Sequence, residues 1–323
     1  MKIKPGTVIK KCMLSLSMLV IPTVAVVASN ANNFDFAYAD TSIEGRWDIT
    51  IDMGEKQVPS WLEVRHSGIR MLIGEFVGAS GSSRPISKVN YTGGKMSFTI
   101  PPQWEEGSDV TVEGSLQGAG LAGTIVLPDG KKHNWTAVRA PSLRRNSEPA
   151  WGTPIRLFSG TDLKGWHAMG ENQWTAENGI LKSAKSGSNL VSDQKFSDFK
   201  LHIEFRYQKG SNSGVYLRGR YEVQISDSKG LEPSKGDLGG VYGFIKPSEM
   251  MAKDAGEWQA YDITLSGRMV TVIANGKMII CNQEIPGITG GAIDSNEGEP
   301  GPLLLQGDHG PIEYRNIVIT PAK

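Results

Sequence analysis

From residue 42 to residue 140 the chain reads as short runs in which apolar and polar residues alternate: RWDITID, SWLEVRH, MLIGEFVG, KMSFTIP, DVTVEGSL, LAGTIVL and NWTAVRA. A period of two belongs to strands that bury one face. Ser67-Gly68, Gly93-Gly94, Glu106-Gly107 and Asp129-Gly130 fall between the runs as turn signals. Short, evenly spaced strands predict a small antiparallel β-barrel or sandwich. Trp47 and Trp135 stand near its two ends, where a shared core suits them better than a ligand platform. The stretch PPQWEEG (101–107) breaks the pattern. Two prolines and an aromatic make a stiff loop, placed to touch a ligand or a second domain.

Residues 141–154 (PSLRRNSEPAWGTP) lose all periodicity and read as a linker. Alternation then resumes over 155–323, most clearly in FKLHIEFRYQ, GVYLRG, YEVQIS, WQAYDITLSG, MVTVIANGKMIICNQ, PLLLQGD and EYRNIVIT. Asn275-Gly276 between two apolar runs is a strong hairpin signal. About a dozen short strands and no long helical period predict two packed antiparallel sheets, a jelly-roll β-sandwich. The chain as a whole is therefore read as all-β.

One stretch has an unusual polar face: NSGVYLRGRYEVQISDS, 212–228. A three-residue loop at Gly219-Arg220-Tyr221 would pair Arg218 with Glu222, Leu217 with Val223 and Tyr216 with Gln224. Val215, Leu217, Val223 and Ile225 then share one face, and Tyr216, Arg218, Glu222 and Gln224 share the other. Burial of one face selects such a register. Two readings compete for the polar quartet. One is an exposed ion pair worth a few tenths of a kcal/mol. The other is a sugar-binding or catalytic surface, suited to an aromatic ring, a bidentate cation, a carboxylate and an amide.

Charge adds exclusions rather than a function. Thirty-four basic residues balance 34 acidic ones, so no basic field invites nucleic acid. Lys2, Lys4, Lys10 and Lys11 precede an apolar run, Cys12 to Ala28, and Ala37-Tyr38-Ala39 follows. This is the pattern of a secretory signal over residues 1–39, predicting a periplasmic or secreted protein with no membrane span after cleavage. Cleavage would leave Cys281 without a disulfide partner; its strand-like setting, KMIICNQ, predicts a buried, inert thiol.

The C-terminal blocks LFSGTDLKGWHAMGENQWTAENGILKS, FKLHIEFRYQKGSNSGVYLRGRYEVQISDS, GGVYGFIKPS, GEWQAYDITLSGRMVTVIANGKMI and LLLQGDHGPIEYRNIVI resemble, in order, those of the domain family described as 3-keto-disaccharide hydrolase. The resemblance covers about residues 155–320, with motif order as its warrant. It implies a concanavalin-like lectin/glucanase fold and an exported enzyme acting on glycosides oxidised at C3 of a sugar. The substrate partner would be a small carbohydrate.

Such a reaction needs a base near C2, a donor for the ketone and an acid for the leaving oxygen. Glu222 is the first candidate for base or acid. Arg218 suits the enolate oxygen, or orients Glu222. His309, just past a strand in LQGDHG, suits the acid near neutral pH, or is a turn residue bonding backbone. Gln224 and Gln306 suit hydroxyl recognition, and Tyr216 and Trp258 suit stacking, although Trp258 fits a core equally well. Glu204 and Arg206 share the polar face of LHIEFRY, either extending the same surface or forming a solvated pair. The run E-x-D-x-(x)-E of sandwich glucanases is absent. The histidines are dispersed and no dinucleotide motif follows a strand, so neither a metal nor a cofactor is expected; Asp227 and Asp237 in a glycine-rich loop fit solvent better than calcium. A non-catalytic carbohydrate-binding protein remains the alternative.

Overall fold

The computed structural model describes residues 43–323. The signal-like leader and its cleavage site lie outside the described residues. Those described are all strand, turn and loop, and among them no helix is long and apolar enough to cross a membrane.

Strands β1 (Gly45–Asp52), β2 (Gln57–Ser67), β3 (Met71–Val77), β4 (Arg84–Thr92), β5 (Lys95–Ile100), β6 (Val110–Gln117), β7 (Gly120–Val126) and β8 (Lys132–Arg139) close into an antiparallel barrel. β8 returns to β1, from Trp47 opposite Arg139 to Asp52 opposite Asn134. Closure leaves no open sheet edge. Trp47, Ile49, Ile51 and Trp135 fill its interior. β4 escapes the sequence pattern for a local reason. Its buried residues, Ile86 and Val89, are three apart, because a bulge interrupts its pairing with β3.

The following strands are β9 (Ile155–Arg156), β10 (Trp166–Ala168), β11 (Trp174–Glu177), β12 (Ile180–Ser183), β13 (Leu190–Phe196), β14 (Phe199–Tyr207), β15 (Asn212–Leu217), β16 (Tyr221–Ser226), β17 (Gln259–Ser266), β18 (Met269–Ala274), β19 (Lys277–Glu284), β20 (Gly301–Leu305) and β21 (Ile312–Pro321). They form a two-sheet sandwich. The smaller sheet runs β10-β13-β20-β15-β16 and the larger β11-β12-β21-β14-β17-β18-β19, with β9 beside β21. Leu201, Ile203, Phe205, Tyr261 and Ile263 of the larger sheet pack against Val215, Leu217, Val223, Leu303 and Leu305 of the smaller. Asn275 and Gly276 take φ of +51° and +84° between paired Ala274 and Lys277, the left-handed turn that an Asn-Gly hairpin requires.

Barrel and sandwich share packed contacts. Trp61 and Val77 of the barrel belong to the sandwich core, and Trp61 meets Phe244 edge-on at 5.2 Å between ring centroids. A methyl group at Gly287 would strike the Trp61 indole. The segment read as a linker is pinned too: Leu143 is buried, and Arg145 holds Asp198 with bonds of 2.6 and 2.9 Å.

A buried polar cluster lies where the barrel meets the sandwich. Arg268 donates through Nε and Nη2 to the two oxygens of Glu297, at 2.8 Å to Oε1, and the Tyr221 hydroxyl donates to the same oxygen at 2.6 Å. Asp48 of β1 faces this group. Burial first, and then the Glu297 charge, push the Asp48 carboxyl up to about 8, against the pull of Arg268. Cys281 departs from expectation by being exposed. The register of β18 with β19 slips near Ile280, so Ile279 and Ile280 are buried and Cys281 is turned outward.

Candidate active site

The β15–β16 hairpin presents the site. Val215 lies opposite Val223, Tyr216 opposite Glu222, and Leu217 opposite Tyr221. The expected pairing, Tyr216 with Gln224 and Arg218 with Glu222, is therefore offset by two positions. An offset of two preserves parity, so Tyr216, Glu222 and Gln224 do share the face away from the core. The loop is residues 218–220, one position earlier than expected. Arg218 begins it with φ of +54°, and this left-handed residue takes its side chain off the strand alternation. Its guanidinium donates to the Tyr221 hydroxyl at 2.8 Å and to the Gly267 carbonyl at 3.2 Å. Arg218 thus joins the interdomain polar cluster and does not pair with Glu222.

Three other candidates lie elsewhere. Glu204 accepts from Arg315 at 2.6 Å and Asn316 at 2.8 Å, and Arg206 bonds Glu313 at 2.6 Å. The Trp258 ring lies 3.9 Å from Arg315 and 4.7 Å from Arg206, measured from each guanidinium carbon to the ring centroid. These side chains alternate with Phe205 and Tyr207, so they occupy the outer face of the larger sheet. Glu204, Arg206 and Trp258 form their own charge-and-ring cluster, apart from Glu222.

The remaining candidates converge. Tyr216, Glu222, Gln224, Gln306 and His309 line a single cleft of about 600 Å³, together with Asn189, Asn212, Tyr242, Asp308 and, from the barrel, Gly81 and Trp104. Sequence patterning missed Asn189, Asn212, Tyr242 and Asp308. Asn212, Tyr242 and Asp308 sit inside motif blocks quoted above, whereas Asn189 lies at a strand margin where alternation carries no information.

Glu222 is 3% exposed and has no guanidinium or ammonium partner. Burial pushes its carboxyl up to about 8; Tyr216 and His309 pull it down, and Asp308 adds to the rise. Hydrogen-bond accounting agrees. The Tyr216 hydroxyl lies 2.8 Å from Glu222 Oε2 and 3.0 Å from the Gly290 carbonyl oxygen. A phenol has one proton: it donates to Glu222 Oε2 when that acid is ionised, which is the downward pull, and both contacts are satisfied at once only when a protonated Glu222 donates to Tyr216 and Tyr216 donates to Gly290. Gly214, opposite Gln224, makes room for the acid; a methyl there would strike Glu222 Oε1.

His309 Nδ1 lies 2.6 Å from Asp308 Oδ1. A carboxylate only accepts, so Nδ1 carries the hydrogen and Nε2 is left as the proton acceptor of the neutral ring. The bond to Asp308 raises the His309 pKa above its ordinary 6.5, against partial burial. Gln306 is buried, and its side-chain oxygen has no hydrogen-bond partner. The cleft therefore combines a neutral acid, an oriented imidazole and amide groups.

The model of the 3-keto-alpha-glucoside-1,2-lyase-like domain family matches residues 153–320, more than half of the chain. The chain belongs to this family. A 95-residue stretch is 33% identical to a 3-keto-disaccharide hydrolase of Bacteroides thetaiotaomicron, covering 24% of this chain and 32% of that protein's length. Two solved structures from Parabacteroides distasonis, both described as candidate glycosyl hydrolases, are also similar. One has 28% identity and a TM-score of 0.45, covering 56% of this chain and 96% of its own. The other has 18% identity and a TM-score of 0.43, covering 53% and 94%. The cleft floor, from Asn189 to His309, falls within the matched span, whereas Gly81 and Trp104 lie before it.

Proposed function

We propose that this protein is a carbohydrate hydrolase that cleaves the glycosidic bond of 3-keto-glycosides by elimination followed by hydration. One observation carries the reading: Glu222, buried and without a cation bonded to it, shares a cleft with His309, whose Nδ1 is anchored to Asp308. Family membership and the name of the Bacteroides relative support the substrate class.

The ketone at C3 acidifies the proton on C2. His309 Nε2 takes that proton, and the electrons move into an enolate at the C3 oxygen. Amide donors that line the cleft, from Asn189, Asn212 and Gln306, suit the oxyanion. The enolate then collapses to a ketone with a C1–C2 double bond as the C1–O bond breaks, and the leaving oxygen takes the Glu222 proton. Water adds at C1 in the reverse sense: Glu222 carboxylate accepts a proton from the water and protonated His309 returns one to C2. The net change is hydrolysis, and both residues end in their starting states.

The test is product analysis on matched 3-keto-glucosides and unoxidised glucosides. Release of the leaving group from the oxidised series is expected, with exchange of the C2 proton for solvent deuterium. Cleavage of the unoxidised series alone would overturn the substrate class, and binding without cleavage of either would leave a carbohydrate-binding protein. We also propose export, on the strength of residues 1–39; a mature N-terminus at Asp40 is the expected result of sequencing the secreted protein.

A further inference from the structure

The barrel supplies part of the cleft wall, and that wall holds an aromatic ring the reaction above does not use. Trp104, in the loop between β5 and β6, is 68% exposed, more than any other exposed large hydrophobic side chain among the described residues. Its loop is nonetheless held. Pro101 and Pro102 stiffen the approach, and Arg84 donates to the Pro101 carbonyl. The neighbouring Gln103 side chain donates to Ser82 Oγ at 2.9 Å and accepts from the Ser82 amide at 3.0 Å. Ser82 belongs to the β3–β4 loop, which is seated on the sandwich. A methyl at Gly290 would strike the Gly81 carbonyl oxygen, and one at Gly243 would come within 2.5 Å of the Ser83 amide. Close backbone packing across the two parts of the chain thus sets where Trp104 stands relative to Glu222.

The groups that must meet the oxidised sugar, Glu222, His309 and Gln306, all come from the sandwich. Trp104 comes from the barrel and offers a π face, which attracts the apolar C–H face of a sugar or an aryl ring. A cleft of about 600 Å³ holds a molecule of two-ring size. We propose that Trp104 is an aromatic subsite that stacks on the ring of the leaving group, which makes the N-terminal barrel a specificity element of the enzyme. The inference rests on the glycoside-cleavage reading above.

The test compares wild type, Trp104→Ala and Trp104→Phe on two 3-keto-glucosides, one with a sugar or aryl leaving group and one with methanol. Trp104→Ala should raise KM for the two-ring substrate roughly tenfold, with kcat within about twofold, and leave the methyl glycoside unaffected. Trp104→Phe should recover most of the loss. Unchanged KM in Trp104→Ala would overturn the subsite, and so would an equal loss on both substrates. Calorimetric binding of the two-ring compound separates this result from the reaction itself. Trp104-dependent binding without turnover keeps the subsite and overturns the hydrolase reading. Turnover that ignores Trp104 does the reverse, and neither binding nor turnover overturns both.

Discussion

Glu222 and Glu297 are both buried carboxyl groups connected to the same hairpin, and they are handled in opposite ways. Glu297 is held by a bidentate pair with Arg268 and by the Tyr221 hydroxyl, so its charge is matched where it is buried. Glu222 has the Tyr216 hydroxyl and no cation bonded to it, and burial, with a smaller push from Asp308, raises its carboxyl to about 8 and keeps it protonated at neutral pH. The first arrangement is built from sandwich residues and faces Asp48 of the barrel. The second leaves a proton available at a cleft. What separates them is the placement of arginine. Arg218 would have reached the Glu222 face had β15 continued unbroken; its left-handed turn sends it to the Glu297 side. An arginine beside Glu222 would have held the acid ionised and removed its use as a proton donor.

Removing one group from each region should break the comparison cleanly. The largest effect belongs to Glu222→Gln, expected to lower kcat on a 3-keto-glucoside by about 10²–10⁴-fold while thermal stability is kept. Rates and melting temperatures measured on the same preparations check both halves. Arg268→Ala should do the opposite. It strands Glu297 beside Asp48, and losing one partner of a buried pair costs about 3–5 kcal/mol, which a denaturant melt reads directly.

A pH series sharpens the contrast further. Glu222 and Asp48 both have folded pKa values raised to about 8, from ordinary values of 4.5 and 3.8. Between those limits the native state holds protons that the unfolded chain has released. Their stabilising contribution is therefore full below the unfolded values and is lost as pH rises through about 8. The melting temperature should fall from about pH 5 to about pH 8 and level off above it, and the fall should be shallower in a Glu222→Gln, Asp48→Asn double variant. The smallest effect is expected on the outer face of the larger sheet. There Glu204→Gln weakens a partly exposed pair with Arg315, worth less than about 1 kcal/mol, with no change in kcat.

How much of this was legible in the sequence depended on whether each feature obeys a period. The barrel strands and the hairpin at Asn275-Gly276 were legible because alternation and turn chemistry are local. β4 was not, because its bulge puts Ile86 and Val89 out of step. The polar face carrying Tyr216, Glu222 and Gln224 was legible as a face, since parity survives an offset of two, but its partners were not. Arg218 was misplaced because no pattern announces a left-handed arginine. Glu204, Arg206 and Trp258 satisfy the same alternation on the other sheet, and alternation does not say which sheet faces a cleft. The stiff loop at PPQWEEG was recognisable as a contact element, yet only the folded chain brings Trp104 to the site that Glu222 lines.

The central claim, that Glu222 is a buried acid kept protonated by its surroundings, can be read without any substrate. Carboxyl-carbon NMR on protein labelled at glutamate, with Glu222→Gln as the assignment control, gives its titration directly. A resonance missing from the variant and titrating near pH 8 is the expected result. Titration of that resonance at or below the ordinary glutamate value of 4.5 would contradict it.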